Sequence, residues 1–157
     1  MSDFKPLHFN SVRNLLFYPH WKKESRMQIY TSCWFQYFGP GRIGISRGNP
    51  RGLSAGYRLY KKLAPTREIL RECKEQPEYR RRFFSEVLEQ LDPQQVLKDL
   101  EERSQDGLAV LMCFERAPLH ERNWCHRSMV AEYLQDRLGI EVPEWDPAIH
   151  GDQKALL

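Results

Sequence analysis

The stretch LAVLMCF, residues 108–114, decides the fold of this chain. All seven residues are apolar, with no polar side chain breaking the run. A strand wetted on one face alternates polar and apolar residues, so an unbroken run is expected to be covered on both faces, at the centre of a parallel sheet. Two shorter apolar runs precede it, MQIYTS ending at Ser32 and GRIGIS ending at Ser46, each bounded by glycine or polar residues as buried strands are.

Helical patterns fill the intervals. LAPTREILRECKE offers Thr66 as a cap with Glu68 in the first turn. In QPEYRRRFFSEVLEQL, Tyr79, Phe83, Phe84, Val87, Leu88 and Leu91 recur at helical spacing, while Arg80, Arg81 and Arg82 project largely elsewhere. In LDPQQVLKDLEERSQDG, Asp92 is a cap, Pro93 takes the first helical position and Gly107 closes the connection to the central strand. Beyond that strand, Met129, Val130, Tyr133, Leu134 and Leu138 form a stripe on a helix that Gly139 terminates, and IEVPEW reads as a last strand. Strands alternating with helices imply crossovers, hence a three-layer, Rossmann-like α/β fold with a mainly parallel sheet in a single domain.

A length of 157 residues suits one domain, with 41% hydrophobic and 29% charged residues in the ordinary globular range. The opening MSDFKPLHFN lacks a basic region followed by an apolar run, and nowhere do 18 apolar residues occur in succession. The expectation is a soluble cytoplasmic protein with no membrane partner. Cysteines at 33, 73, 113 and 125 contain no CxxC pair and suggest reduced thiols, with Cys33 and Cys113 read as small hydrophobes at strand ends.

Charge is unevenly distributed. Residues 42–82 carry twelve basic and four acidic groups, and residues 83–157 carry seven and fifteen. So basic a segment attracts phosphates, or the two halves complement each other across the fold.

In parallel α/β folds, ligands sit outside the carboxyl ends of the strands. Here those ends carry Thr31 and Ser32, then Ser46 and Arg47, then Cys113 and Glu115. The loop SRGNPRG adds Arg51, two glycines that allow close backbone approach, and a stiffening proline, and reads as an anion-binding loop. Cys125, His126 and Arg127 stand where the last long helix begins. Free N–H groups and the helix dipole favour anions there, and Arg127 adds a full positive charge. The same field favours a Cys125 thiolate, although no CxxxxxR phosphatase loop follows that residue.

The stretch GLAVLMCFERAPLHERNWCHRSMVAEYLQDRLGIEVPEW resembles the carboxyl-terminal signature of the domain of unknown function 488 family: an apolar strand, Cys-x-Glu, a loop, Cys-His-Arg and an alanine-containing helix. Cys113, Glu115, Cys125, His126, Arg127 and Ala131 fill that pattern in order, and IYTSCW, ISRGNPRG, YKKLAPTREIL and LDPQQVLKDLE extend the likeness upstream. The loop APLHERNW departs from the family's shorter acidic-proline form. The likeness divides the chain into an N-terminal extension (1–26), an α/β domain (27–145) and a C-terminal tail (146–157). It implies an α/β sheet with Ser32, Arg47, Glu115, His126 and Arg127 around one cleft.

Two functions are consistent with these residues. In one, an enzyme acts on a nucleotide or nucleic acid: Thr31, Ser32, Ser46, Arg47, Arg51 and Arg127 bind the ligand, and Glu115 or His126 is the catalytic group, with Cys125 behind them. In the other, a non-catalytic nucleotide-sensing or nucleic-acid-binding module uses the same arginines with Tyr57, Tyr60, Trp34 or Trp124 as stacking platforms. The expected partner is a phosphate-bearing small molecule or nucleic acid. No cofactor is indicated, and a metal held by His126, Cys113 and Cys125 is a third reading behind these two. The oligomeric state is left open.

Overall fold

A computed structural model describes residues 27–151 of the chain. The expected N-terminal extension, 1–26, lies outside the described residues, as do residues 152–157 of the tail. Among the described residues the sheet has four strands, β1 (Gln28–Cys33), β2 (Arg42–Gly44), β3 (Arg58–Leu59) and β4 (Leu108–Cys113), in the order β1-β4-β2-β3 and parallel throughout. LAVLMCF thus lies between two neighbours, as its unbroken apolarity required. Register pairs Gln28 with Leu108 and Cys33 with Cys113, so β1 and β4 end level.

The helices are α1 (Arg67–Glu72), α2 (Gln76–Glu86), α3 (Pro93–Arg103), α4 (His126–Leu138) and α5 (Pro147–His150). Local signals begin three of them. Thr66 accepts from the Ile69 N–H, and Asp92 from that of Gln94, each satisfying an amide that the first turn leaves unpaired. Asp146 does the same for Ala148 at α5, a helix the sequence pattern did not reveal. Gly139 ends α4 at φ 66°, left-handed backbone that glycine adopts without steric cost.

Side-chain alternation along β4 separates two apolar layers. Ala109 and Leu111 face a core with Phe83 of α2, Leu100 of α3, and Val130 and Leu134 of α4. Val110 and Met112 face the other way, onto Trp34 and Tyr37, with Tyr57 and Trp145 packed against them. Burying each large apolar side chain contributes about 1.5–3 kcal/mol, and both faces of the central strand gain it. The three-layer α/β expectation holds.

Two expectations are corrected. QPEYRRRFFSEVLEQL is not one helix: α2 stops at Glu86, Val87 leaves helical geometry at φ −120°, ψ −68°, and a separate 3-10 turn at Leu88–Gln90 buries Leu88. IEVPEW is not a full strand either. It runs beside β1, and its bridge pairs Thr31 with Glu144. Thr31 N–H donates to the Pro143 carbonyl and Trp145 N–H to that of Thr31, and Pro143, lacking an N–H, cannot extend the ladder.

Candidate functional site

Three chain segments meet at the carboxyl edge of β2 and β4: the loop leaving β2 at Ser46, the end of β4 with Glu115 beyond it, and the start of α4. They enclose a cleft of about 330 Å³ lined by Ser46, Arg47, Cys113, Glu115, Cys125 and His126, with Lys74, Tyr79 and Trp124 on its walls. Parallel strands direct their last residues to one side of the sheet, which is why residues so distant in sequence converge.

Each group has a definite tether. Arg47 donates from Nε to the Pro65 carbonyl at 2.9 Å; its two terminal nitrogens have no protein partner among the described residues. That bond aims the guanidinium while leaving its fork available. Lys61 secures the loop beneath it, donating to the carbonyls of Ser46 and Arg47 at 2.6 and 3.2 Å and to Asn49 Oδ1 at 3.0 Å.

His126 lies in the first turn of α4, with Nε2 2.9 Å from the Ile45 carbonyl. A carbonyl oxygen only accepts, so Nε2 carries the proton and, in the neutral ring, Nδ1 presents its lone pair. Nδ1 points at two sulfurs, 3.5 Å from Cys113 Sγ and 3.9 Å from Cys125 Sγ. Cys113 Sγ also donates to Glu115 Oε2 at 3.3 Å. Phe83 meets the imidazole edge to face at 5.5 Å.

Charge follows from these contacts. Burial pushes the Cys125 thiol up, but hydrogen bonding with Cys113 and then with His126 outweighs it and brings the group below the ordinary thiol range. Cys113 moves the other way, well above the ordinary thiol range, because its bond to Cys125, its burial and the neighbouring charges all disfavour a second thiolate. Burial acts to raise the Glu115 carboxyl, yet hydrogen bonds from Cys125, its own backbone and Cys113 bring it below the usual carboxylate value. Cys125 therefore occupies the N-cap position without capping; its sulfur turns toward Cys113 and His126.

The structure brings Ser46, Arg47, Glu115, Cys125 and His126 together and separates the remaining candidates. Arg127 has 0% of its surface exposed. Its Nε and one terminal nitrogen grip Glu144 at 3.0 and 2.8 Å, and the other donates to the Glu115 carbonyl at 2.5 Å. Every guanidinium arm is occupied, so Arg127 braces the backbone behind the cleft and does not line it. Ser32 is buried at the end of β1, and Arg51 lies exposed outside the cleft. Thr31 is buried with Oγ1 donating to Glu144 at 2.6 Å. The Ser46 hydroxyl is engaged, donating to the Gly48 carbonyl and accepting from Trp34 Nε1. Of the four aromatic platforms, Trp124 alone lines the cleft; Trp34 and Tyr60 are buried, and Tyr57 packs on Trp34.

Lys74 is the contributor that sequence reasoning did not select, and Cys113, read there as a small hydrophobe at a strand end and as a ligand only in the metal reading, faces the cleft as well. For Cys113 a signal existed: positions 113 and 115 share a face of an extended chain, which puts the thiol beside the carboxylate. Lys74 follows α1, and only the packing of α1 and α2 over the strand ends carries it to the wall.

A family model described as "Active DUF488-N3 subclade" matches residues 37–138. No curated protein and no solved structure matches the chain.

Proposed function

The chain belongs to the DUF488 family, in its N3a branch, and on that premise we propose that the cleft binds a phosphate-bearing anion, a nucleotide or a nucleic-acid end, and carries out chemistry on it. One observation carries the reading: the unengaged guanidinium fork of Arg47 opens into the same cleft as the Glu115 carboxylate. Arginine presents planar paired donors to phosphate, and Lys74 adds a point charge on the same wall. Glu115 then accepts a proton from the bound substrate or stabilises an oxocarbenium-like centre, with His126 held in one tautomer behind it. The description of the matched subclade as active favours an enzyme.

A non-catalytic nucleotide-sensing or nucleic-acid-binding module is the second reading. It is favoured by Trp124 and Tyr79, which meet edge to face at 4.8 Å and offer a base an aromatic wall. No helix among the described residues is long and apolar enough to cross a membrane, and the four cysteines are free; both features support placing the protein in the cytoplasm.

Thermal scans with orthophosphate and a panel of mononucleotides test the reading. A ligand confined to the native state stabilises by about 2.7 kcal/mol at a hundred times its Kd. The expected result is a rise in Tm with at least one nucleotide, abolished by Arg47→Ala. Glu115→Gln is expected to keep the rise and lose turnover. No shift with any member of the panel overturns the anion reading, and binding without turnover selects the non-catalytic module.

A further inference from the structure

Cys113, Cys125 and His126 are buried together, with one donor atom from each lying within 4.8 Å of the other two. Two thiols and an imidazole are the donor set that borderline-soft divalent ions prefer. The spacing fits as well. Zinc bonds of about 2.3 Å to sulfur and 2.0–2.1 Å to nitrogen, arranged tetrahedrally, place a sulfur and a nitrogen about 3.6 Å apart. The two sulfurs stand 3.5 and 3.9 Å from His126 Nδ1.

The ring is also prepared for ligation. A metal-bound histidine characteristically donates its other N–H to a carbonyl or carboxylate, which orients the ring and directs the free lone pair at the ion. The bond from Nε2 to the Ile45 carbonyl supplies that restraint, and its origin in the residue that follows β2 makes the orientation a property of the fold.

We propose that Cys113 Sγ, Cys125 Sγ and His126 Nδ1 form a three-ligand site for a zinc-class divalent ion in the wall of the cleft. Two thiolates neutralise the ion's two charges, and whatever thiol protons the pair still holds, chiefly that of Cys113, pass to solvent on binding. Three protein ligands leave a tetrahedral ion with one position for water or substrate, the arrangement of catalytic rather than structural zinc. Glu115, whose Oε2 is 3.3 Å from Cys113 Sγ and gives up that hydrogen bond when the thiol loses its proton, lines the same cleft as a carboxylate able to accept a proton from a bound water. The chemical use of the ion rests on the cleft being the active site, whereas metal binding itself does not.

Full-length protein, reduced and stripped of metal, is titrated with Co²⁺ and then Zn²⁺. One equivalent per chain is expected, with a thiolate-to-cobalt charge-transfer absorption that Zn²⁺ abolishes. Cys125→Ser and His126→Gln are each expected to weaken binding by more than the roughly 10–100-fold that loss of an outer-shell partner costs. Cys33→Ser is expected to leave it unchanged, and circular dichroism confirms that each variant is folded. Absence of the charge-transfer band in the wild-type protein, well under one equivalent bound, or undiminished binding by folded Cys125→Ser each overturns the proposal. So does a Cys113–Cys125 disulfide that persists under the reducing conditions of the titration. Because phosphate and nucleotide scans are repeated on the metal-free protein, loss of the metal reading is separable from loss of the anion reading.

Discussion

Arg127 is a cation without access to solvent, and its position in the helix explains why. It lies three residues before Val130 and seven before Leu134, on the buried stripe of α4, so helical periodicity already directed it inward. What the sequence did not disclose was its partner: Glu144 lies 17 residues on, past Gly139, and reaches the guanidinium only because residues 142–145 run alongside β1. Removing one member of a buried pair strands the other, typically costing about 3–5 kcal/mol. Glu144→Ala is therefore expected to lower unfolding stability by an amount on that scale, read by urea denaturation, through the uncompensated Arg127 charge. Arg47→Ala, on the exposed rim, is expected to change stability by less than about 1 kcal/mol while eliminating anion-induced stabilisation. If the two variants exchanged these signatures, the division between bracing and binding arginines would be wrong.

Among the elements, the central strand and the capped helices were legible because their signals are local: an unbroken apolar run, or a Thr or Asp before a periodic segment. β3 was not, since two exposed residues carry no pattern and pair with β2 only through tertiary placement. Two contacts show what holds this part of the sheet. A Cβ on Gly44 would stand 2.8 Å from the Trp34 ring and 3.0 Å from Leu59, so glycine is what allows Trp34 to cross β2. Gly44→Ala is expected to destabilise by about 1–3 kcal/mol, the usual cost of overpacking, measured by thermal or urea unfolding. Asp99 of α3 accepts from Gln95 Nε2 at 2.9 Å, Tyr60 Oη at 2.8 Å and Lys62 Nζ at 3.1 Å, tying the helix to the segment after β3. Hydrogen bonds from Gln95 first, and then Tyr60, hold its carboxyl below the ordinary 3.8, at about 2. The unfolded chain takes up that proton first as acid is added, so the contribution is complete above the ordinary carboxylate value and is lost as pH falls through about 2. Asp99→Asn is expected to flatten the stability profile over that window. An unchanged profile would show that Asp99 is not responsible for the acid sensitivity.

At the scale of the molecule, part of the charge asymmetry is met by ion pairs between the two segments. Arg80 of α2 pairs with Glu132 of α4, and Lys62 with Asp99 of α3, each joining the basic segment to the acidic one. Charge counts along the chain could not distinguish this complementarity from a nucleic-acid surface, because pairing depends on how helices stack and not on sequence order. The difference is measurable in salt. If nucleic-acid contact is confined to the cleft, Arg47 and Lys74 are the cations that meet phosphate, and single-stranded binding releases about 0.7 counterion per phosphate neutralised. Titration of a short single-stranded oligonucleotide at several salt concentrations is then expected to give a slope of log K against log salt of about −1.4. Engagement of most of the twelve basic residues between 42 and 82 would steepen the slope several-fold, to about −8 at the limit. A slope that steep, undiminished by Arg47→Ala, would place nucleic acid on the outer face of the basic segment and remove it from the cleft.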